Sequence, residues 1–302
     1  MRYDAKGKWI CPRPWCWERR CSWRPWSCWR WWPLAVLTRG SVRVLDWCNR
    51  KGKSAAGRLV QLTGKSPYRI HPKHLIDAPW HEWYMEHLLA THRVLDVGCG
   101  HGAHTLIAAQ CVRAIVGVDQ DAAQLRVAEK RARDEGIWNV QFLERDLTRS
   151  LPFLTGYFDV VLCLDVIEHI EDRQHLLREI HRVLTPTGQL FISAPNRATR
   201  WRQRLRDAGL FAFSDPDHRV EYSAEEFQAE LQAAGFRAGR LSPVVYDTPL
   251  AGWIDAVGGV SLLAYAWLSR WKRMRAVREP GESTGFWCVA RKSNIAPTGG
   301  IR

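Results

Sequence analysis

The chain has 302 residues, 46% hydrophobic and 25% charged, enough for one large α/β domain with insertions or for two small domains. That balance excludes wholesale disorder, collagen-like repeats and coiled coils. The net charge is +13, but residues 1–44 hold ten Lys and Arg against two acids, so the rest is only mildly basic and implies no nucleic-acid partner.

Residues 1–44 form an atypical tail. Eight of the 17 Trp lie between Trp9 and Pro33, mixed with Arg, Cys and Pro and without helical or alternating period. Such a mixture reads either as a disordered or mis-called start, which is set aside before fold reasoning, or as an interfacial anchor. Cys11, Cys16, Cys21 and Cys28 crowd the same stretch at gaps that match no zinc knuckle. Cys99, Cys111, Cys163 and Cys288 sit in or beside apolar runs and read as buried thiols of a reducing compartment. With no charged and apolar leader pattern, the expected location is cytoplasmic.

Residues 45–90 read as a helical lead-in, with one short helix over Arg58 to Gly64 and another over Trp80 to Leu89. Strands are expected at Val94–Val97, Ala114–Asp119, Val140–Leu143, Val160–Leu164 and Gln189–Ala194, with helices between them. Asp121 caps one helix, Ser223 and Glu226 form a capping box for another, and Thr185–Gly188 reads as a turn. Two further strands follow, Arg237–Leu241 and Gly285–Arg291. The alternation predicts a doubly wound α/β sheet. Residues 196–222 and 243–283 break it and read as cap insertions over the carboxyl edge, where ligands bind in such folds. Residues 293–302 are a short tail. The longest apolar stretch, Leu250 to Leu268, is broken by Asp255 and Gly258-Gly259, so no transmembrane helix is expected.

The sharpest motif is Asp96-Val97-Gly98-Cys99-Gly100-His101-Gly102, directly after a strand. Its glycines let the backbone approach a ligand closely. Asp119 ends the next strand, where a carboxylate accepts hydrogen bonds from a ribose diol. Two cofactors compete for this turn. Gly98-x-Gly100-x-x-Ala103 also satisfies a dinucleotide fingerprint, as in a nicotinamide-dependent oxidoreductase. Against it, Asp96 would repel a pyrophosphate and attract a cationic amino group, which favours S-adenosylmethionine.

Val94 to Gly102 resembles the first motif of class I S-adenosylmethionine-dependent methyltransferases, and the likeness continues in family order. Val116–Asp119, Glu144–Leu147, Phe158–Ile170 and Arg178–Leu190 resemble the later motifs of the ubiquinone/menaquinone-biosynthesis-like, type 11 branch. The turn Pro186-Thr187-Gly188 departs mildly from the branch's Pro-Gly-Gly. The resemblance implies a Rossmann-like sheet of seven strands, mostly parallel with an antiparallel last strand, within a methyltransferase domain over 91–292. It also implies that Asp96 orders the methionine amino group and that Gly98, Cys99, Gly100 and Gly102 shape the turn. Asp119 would hold the ribose, Gln120 would flank the adenine, Asp146 and Leu147 would contact it, and Leu164 would close over the methionine.

Methyl transfer to a hydroxyl profits from a base, and His169 and His218 are the candidates. Asp165, Glu168 and His169 have the atoms to bind a divalent ion, but a capped helix start explains them equally, and no metal is assigned. The arginines between Arg197 and Arg206 read as a solvated face or as a recruiter of an anionic acceptor. Residues 250–278 read as a packed helical cap or as a peripheral membrane contact. The expected acceptor is a small molecule, a glycan or a lipid-linked compound, methylated on oxygen. A non-catalytic cofactor-binding module is the other alternative.

Overall fold

Strand β1 (Arg93–Val97) has four buried residues in succession, as a strand covered on both faces requires. In the computed structural model, which describes residues 38–67, 69–76 and 80–293, β1 is the centre of the sheet. It pairs in parallel with β2 (Ala114–Asp119) on one side and β4 (Phe158–Cys163) on the other. β3 (Val140–Glu144) extends the β2 side, and β5 (Leu184–Pro195) extends the β4 side. Beyond β5 run β8 (Gly285–Lys292), antiparallel, and then β6 (Phe236–Ala238). The strand order is β3-β2-β1-β4-β5-β8-β6. The chain therefore reverses its winding between β1 and β4, and a crevice opens at their carboxyl ends.

The pleat separates two cores. Val94, Val160, Leu162 and Phe191 point to one face and pack with Tyr84, Ala108 and Ile115. Leu95, Val161, Leu190 and Ile192 point to the other and pack with Leu177, Ile180 and Phe227. Helices α2 (Ala103–Ala109), α3 (Ala122–Asp134), α4 (Arg173–Val183) and α6 (Ala224–Ala233) flank the sheet. The Asp121 cap and the Ser223/Glu226 capping box form as expected.

Several expectations need correction. The sheet has eight strands, not seven. β7 (Ser242–Pro243) pairs with Trp287 and Phe286 of β8; two residues, one a proline, carry no alternation to read. Thr185–Gly188 lies within the span of β5, as a register shift against β4, so that strand begins at Leu184. The lead-in holds one 24-residue helix, α1 (Arg39–Leu62), in place of a short one at 58–64, and it begins inside the segment set aside as tail. Over 80–89 only a 3-10 turn forms, Trp83–His87. Cys111 is half-buried rather than buried. Trp9–Pro33, the first four cysteines and residues 294–302 lie outside the described residues.

The cap insertions contribute α5 (Arg200–Asp207), α7 (Ala251–Val260) and α8 (Leu262–Arg278). α7 lies against α1 where Gly52 and Gly252 meet. A β-carbon on Gly52 would stand 2.3 Å from the Gly252 carbonyl oxygen, so only glycine permits the crossing. Among the described residues, no helix is long and apolar enough to cross a membrane.

Candidate functional site

The turn after β1 is built from left-handed glycines: Gly98, Gly100 and Gly102 have φ of 71°, 51° and 76°. A β-carbon on Gly98 would also lie 2.5 Å from Val166 Cγ2. The Gly98 and Cys99 amides donate to the Val118 carbonyl at 2.8 and 3.1 Å, which ties the turn to β2. Asp119 accepts from the Gly100 amide at 2.8 Å through one oxygen and from the Asp121 amide at 2.9 Å through the other. Each oxygen keeps a lone pair for a diol.

Asp96 is 3% exposed and accepts from the Thr105 hydroxyl at 2.6 Å. Burial pushes its carboxyl up to about 7, against the Thr105 hydrogen bond, with the Asp119 charge acting in the same direction as burial. A carboxyl so buried can reach a ligand only through its field or through the loop backbone. Cys99 is buried, and burial pushes its thiol up. Gln120 is exposed beside Asp119. Asp146 accepts from the Thr148 hydroxyl and amide at 2.7 and 2.9 Å, which hold its carboxyl below the ordinary value. Leu147 is buried. Leu164 is half-buried and lines the crevice.

Beside Leu164 lies a small cavity whose aromatic lining sequence reasoning largely missed. His74, Trp80, His81, Trp83 and His104 line it together with Ser193 and Trp287. Trp83 stacks on Trp287 with ring centres 4.0 Å apart, and the Tyr84 hydroxyl lies 3.0 Å from His104 Nδ1. Burial lowers His104 to about 4 and His81 to about 3, so this lining is neutral at physiological pH. Only His104, two residues past the glycine turn, carried a positional signal.

Asp165 leaves β4 with φ of 56°, unusual for a residue with a side chain. Its carboxylate accepts from the Ser193 hydroxyl at 2.8 Å and lies 3.7 Å from Lys73 Nζ. Its side chain is exposed, and the Lys73 charge and the Ser193 hydrogen bond hold its carboxyl below the ordinary value. Lys73, His81 and Asp165 also line a second cavity of about 470 Å³. That cavity lies under both cap insertions and also receives Glu168, His169, Arg202, His218, Asp255 and Lys272. Lys272 is 8% exposed, and burial lowers its ammonium against the opposing charges of Asp255 and Asp247.

The structure brings the two histidine candidates together, with ring centres 4.7 Å apart. The cause is local: the Arg219 amide donates to the Glu168 carbonyl at 2.7 Å, pinning the first insertion onto the loop after β4. His169 is exposed, with Nδ1 3.4 Å from the Asp217 carbonyl oxygen. The His218 side chain is 8% exposed, with Nδ1 2.9 Å from Glu221 Oε1. Burial would raise Glu221, but the hydrogen bond from His218, the Arg202 charge and Ser214 outweigh it, so the carboxylate is ionised. This fixes the proton on Nδ1 and leaves Nε2 as the basic nitrogen. His218 Nε2 lies 3.8 Å from Glu168 Oε1. Glu168 is raised well above its ordinary value by burial and by Asp165, and its Oε2 has no partner. Donor atoms of Glu168, His169 and His218 all lie within 4.8 Å of one another, an oxygen and imidazole set suited to a divalent cation. Asp165 is not in that set. The arginine run is mostly consumed in ion pairs, Arg197 with Glu226 and Arg200 with Glu279 and Glu282. Arg202, paired with Asp247 at 3.4 Å, is the one that lines the cavity.

Residues 95–192 match the family model described as a methyltransferase domain. The ubiquinone biosynthesis O-methyltransferase of Pseudomonas aeruginosa (strain LESB58) is 36% identical over 109 residues, 36% of this chain and 47% of that protein. The chain thus spans about half the length of the curated relatives it matches first. The protein of the same name from Erwinia tasmaniensis is 29% identical over 205 residues, 66% of this chain and 77% of its own. The solved structure of the [4+2]-cyclase SpnF shares the fold, with a TM-score of 0.50 and 24% identity over 68% of this chain and 76% of that one.

Proposed function

We propose that this chain, which carries a class I S-adenosylmethionine-dependent methyltransferase domain of the type 11 kind, methylates an oxygen of a small-molecule, glycan or lipid-linked acceptor held in the 470 Å³ cavity. The observation that carries the reading is the His218–Glu221 pair, whose imidazole lines that cavity; the cavity shares Lys73, His81 and Asp165 with a smaller one lined by Leu164 and by His104, two residues past the glycine turn. Bound S-adenosylmethionine supplies a methyl group already activated on a sulfonium. The residues fit that cofactor: Asp119 offers free lone pairs at the strand end, and the glycines leave a cradle that a β-carbon would fill. Gln120, Asp146 and Leu147 would flank the adenine, Leu164 the methionine, and Asp96 would set a negative field under the amino group.

His218 Nε2 takes the acceptor proton while Glu221 holds Nδ1–H and stabilises the imidazolium. Glu168, whose neutral form burial favours, offers its unpartnered carboxyl to the acceptor oxygen. His169 forms the rim. The aromatic wall keeps water from the transfer path, and alignment supplies much of the rate. The described cysteines are all free thiols, which supports a cytoplasmic setting.

Fold alone does not decide the chemistry, so the test measures transfer. Full-length chain is incubated with methyl-tritiated cofactor and a cell extract, and label is followed into each acceptor pool. We expect label from the wild type and loss of about a hundredfold or more in His218→Ala with cofactor affinity unchanged. Affinity for a nicotinamide dinucleotide in place of S-adenosylhomocysteine supports the oxidoreductase. Cofactor binding with no labelled pool supports a binding module.

A further inference from the structure

Helix α8 is built inside out. Its buried residues are Tyr265, Ser269, Lys272 and Ala276, and the first three line the acceptor cavity. Its outward stripe is apolar: Leu263 is 87% exposed, Trp267 69% and Met274 55%. A helix covering a core does the reverse. The neighbouring helices share the inverted pattern in part. α1 buries Asp46, Asn49 and Gly52 alongside Val42, Ala56 and Val60 while exposing Val44, Trp47 and Leu62, and α7 buries Asp255 alongside Ile254 while exposing Trp253 and Val260. Most of the large exposed apolar side chains of the described chain lie on these three helices or at their ends.

Charge on the same helices is one-sided. They carry eleven Lys and Arg and only two acids, Asp46 and Asp255, both buried. Arg39, Arg43, Lys51, Arg270 and Arg278 are exposed around the tryptophans. Tryptophan favours the headgroup layer, aliphatic side chains the acyl boundary beneath it, and basic residues the anionic headgroups. A second copy of the chain is disfavoured as occupant, because a symmetric pairing would set cations against cations with no exposed acid on these helices to answer them.

We propose that the outer face of α1, α7 and α8 docks on the surface of an anionic lipid bilayer, with the acceptor cavity directly behind it. Lipid binding is independent of methyl transfer, so it stands or falls separately from the proposed reaction. The test is flotation of the full-length chain with phosphatidylcholine vesicles, with or without about 30% phosphatidylglycerol. We expect binding to anionic vesicles about tenfold or more above neutral ones, weakened by about 0.5 M salt. Leu263→Gln/Trp267→Gln and, separately, Arg270→Glu/Arg278→Glu should each lose about tenfold or more of that binding while keeping S-adenosylhomocysteine affinity. Three results overturn the proposal. One is absence of binding, or equal binding to neutral and anionic vesicles. Another is wild-type binding in both variants, which would move the contact elsewhere, such as to the Trp9–Pro33 stretch. The third is vesicle-free self-association abolished by the first variant, or RNA that binds this face in preference to lipid.

Discussion

If the buried Asp96 carboxylate selects a cationic cofactor, cofactor affinity must depend on pH in a calculable way. Its carboxyl is raised from 3.8 to about 7, a gap worth about 4 kcal/mol between its two protonation states. The folded chain holds this proton more tightly than the unfolded one. Its contribution to stability is therefore fullest below pH 3.8 and is lost as pH rises to about 7. A bound ammonium favours the ionised carboxylate, so binding expels the proton. Affinity for S-adenosylhomocysteine should rise by up to about tenfold per pH unit between about 5.5 and 7, then level off. Titration calorimetry in two buffers of different ionisation enthalpy should count about one proton released near pH 6 and almost none near pH 8. His81 and His104, held down at about 3 and about 4, stay neutral across that window. Asp96→Asn should bind more weakly above pH 7 and show no slope. A flat profile in the wild type, or a slope that survives in Asp96→Asn, refutes the selection argument.

Asp119→Ala should abolish measurable cofactor binding in calorimetry. It also removes the acceptors of the Gly100 and Asp121 amides, so urea unfolding should show a loss of about 2–4 kcal/mol rather than the neutral effect that a pure ribose ligand implies. Gly98→Ala combines a positive φ with a contact at 2.5 Å from Val166, and should cost about 2–4 kcal/mol. Adding Val166→Ala should recover part of the clash but none of the backbone strain, and strictly additive losses in this cycle would show that the contact does not exist. Glu221→Gln should lower kcat about tenfold to a hundredfold with little change in the KM for cofactor; an unchanged kcat removes Glu221 as the residue that positions His218.

The sheet was legible because buried parallel strands are nearly continuous apolar runs, bounded by acids at Val160–Cys163 and by glycine and proline around Leu190–Ala194. The glycine turn was legible for the same local reason: its conformation depends on residues adjacent in sequence. α1 was not, because the stripe it buries is Val42, Asp46, Asn49, Gly52, Ala56 and Val60, small and polar where an apolar period was sought. The site beyond the cofactor depends on distant pieces. His218 meets Glu168 across 50 positions, and His74, His81 and His104 converge from three separate segments of the chain. The orientation of α8 was hidden too, since hydrophobic periodicity finds a helix's apolar side but says nothing of whether that side meets protein or something else.

The inverted helix α8 also has a consequence for handling the protein. Dispersed molecules carry a broad oily surface ringed by positive charge, and mutual repulsion between those rings is what keeps the oily surfaces apart. At physiological ionic strength that repulsion fades beyond about 8 Å, and concentrated electrolyte removes most of the rest. The usual remedy for a basic, adhesive protein, a salty buffer, should therefore drive this one out of solution. Dilute buffer or a mild anionic detergent should keep it dispersed.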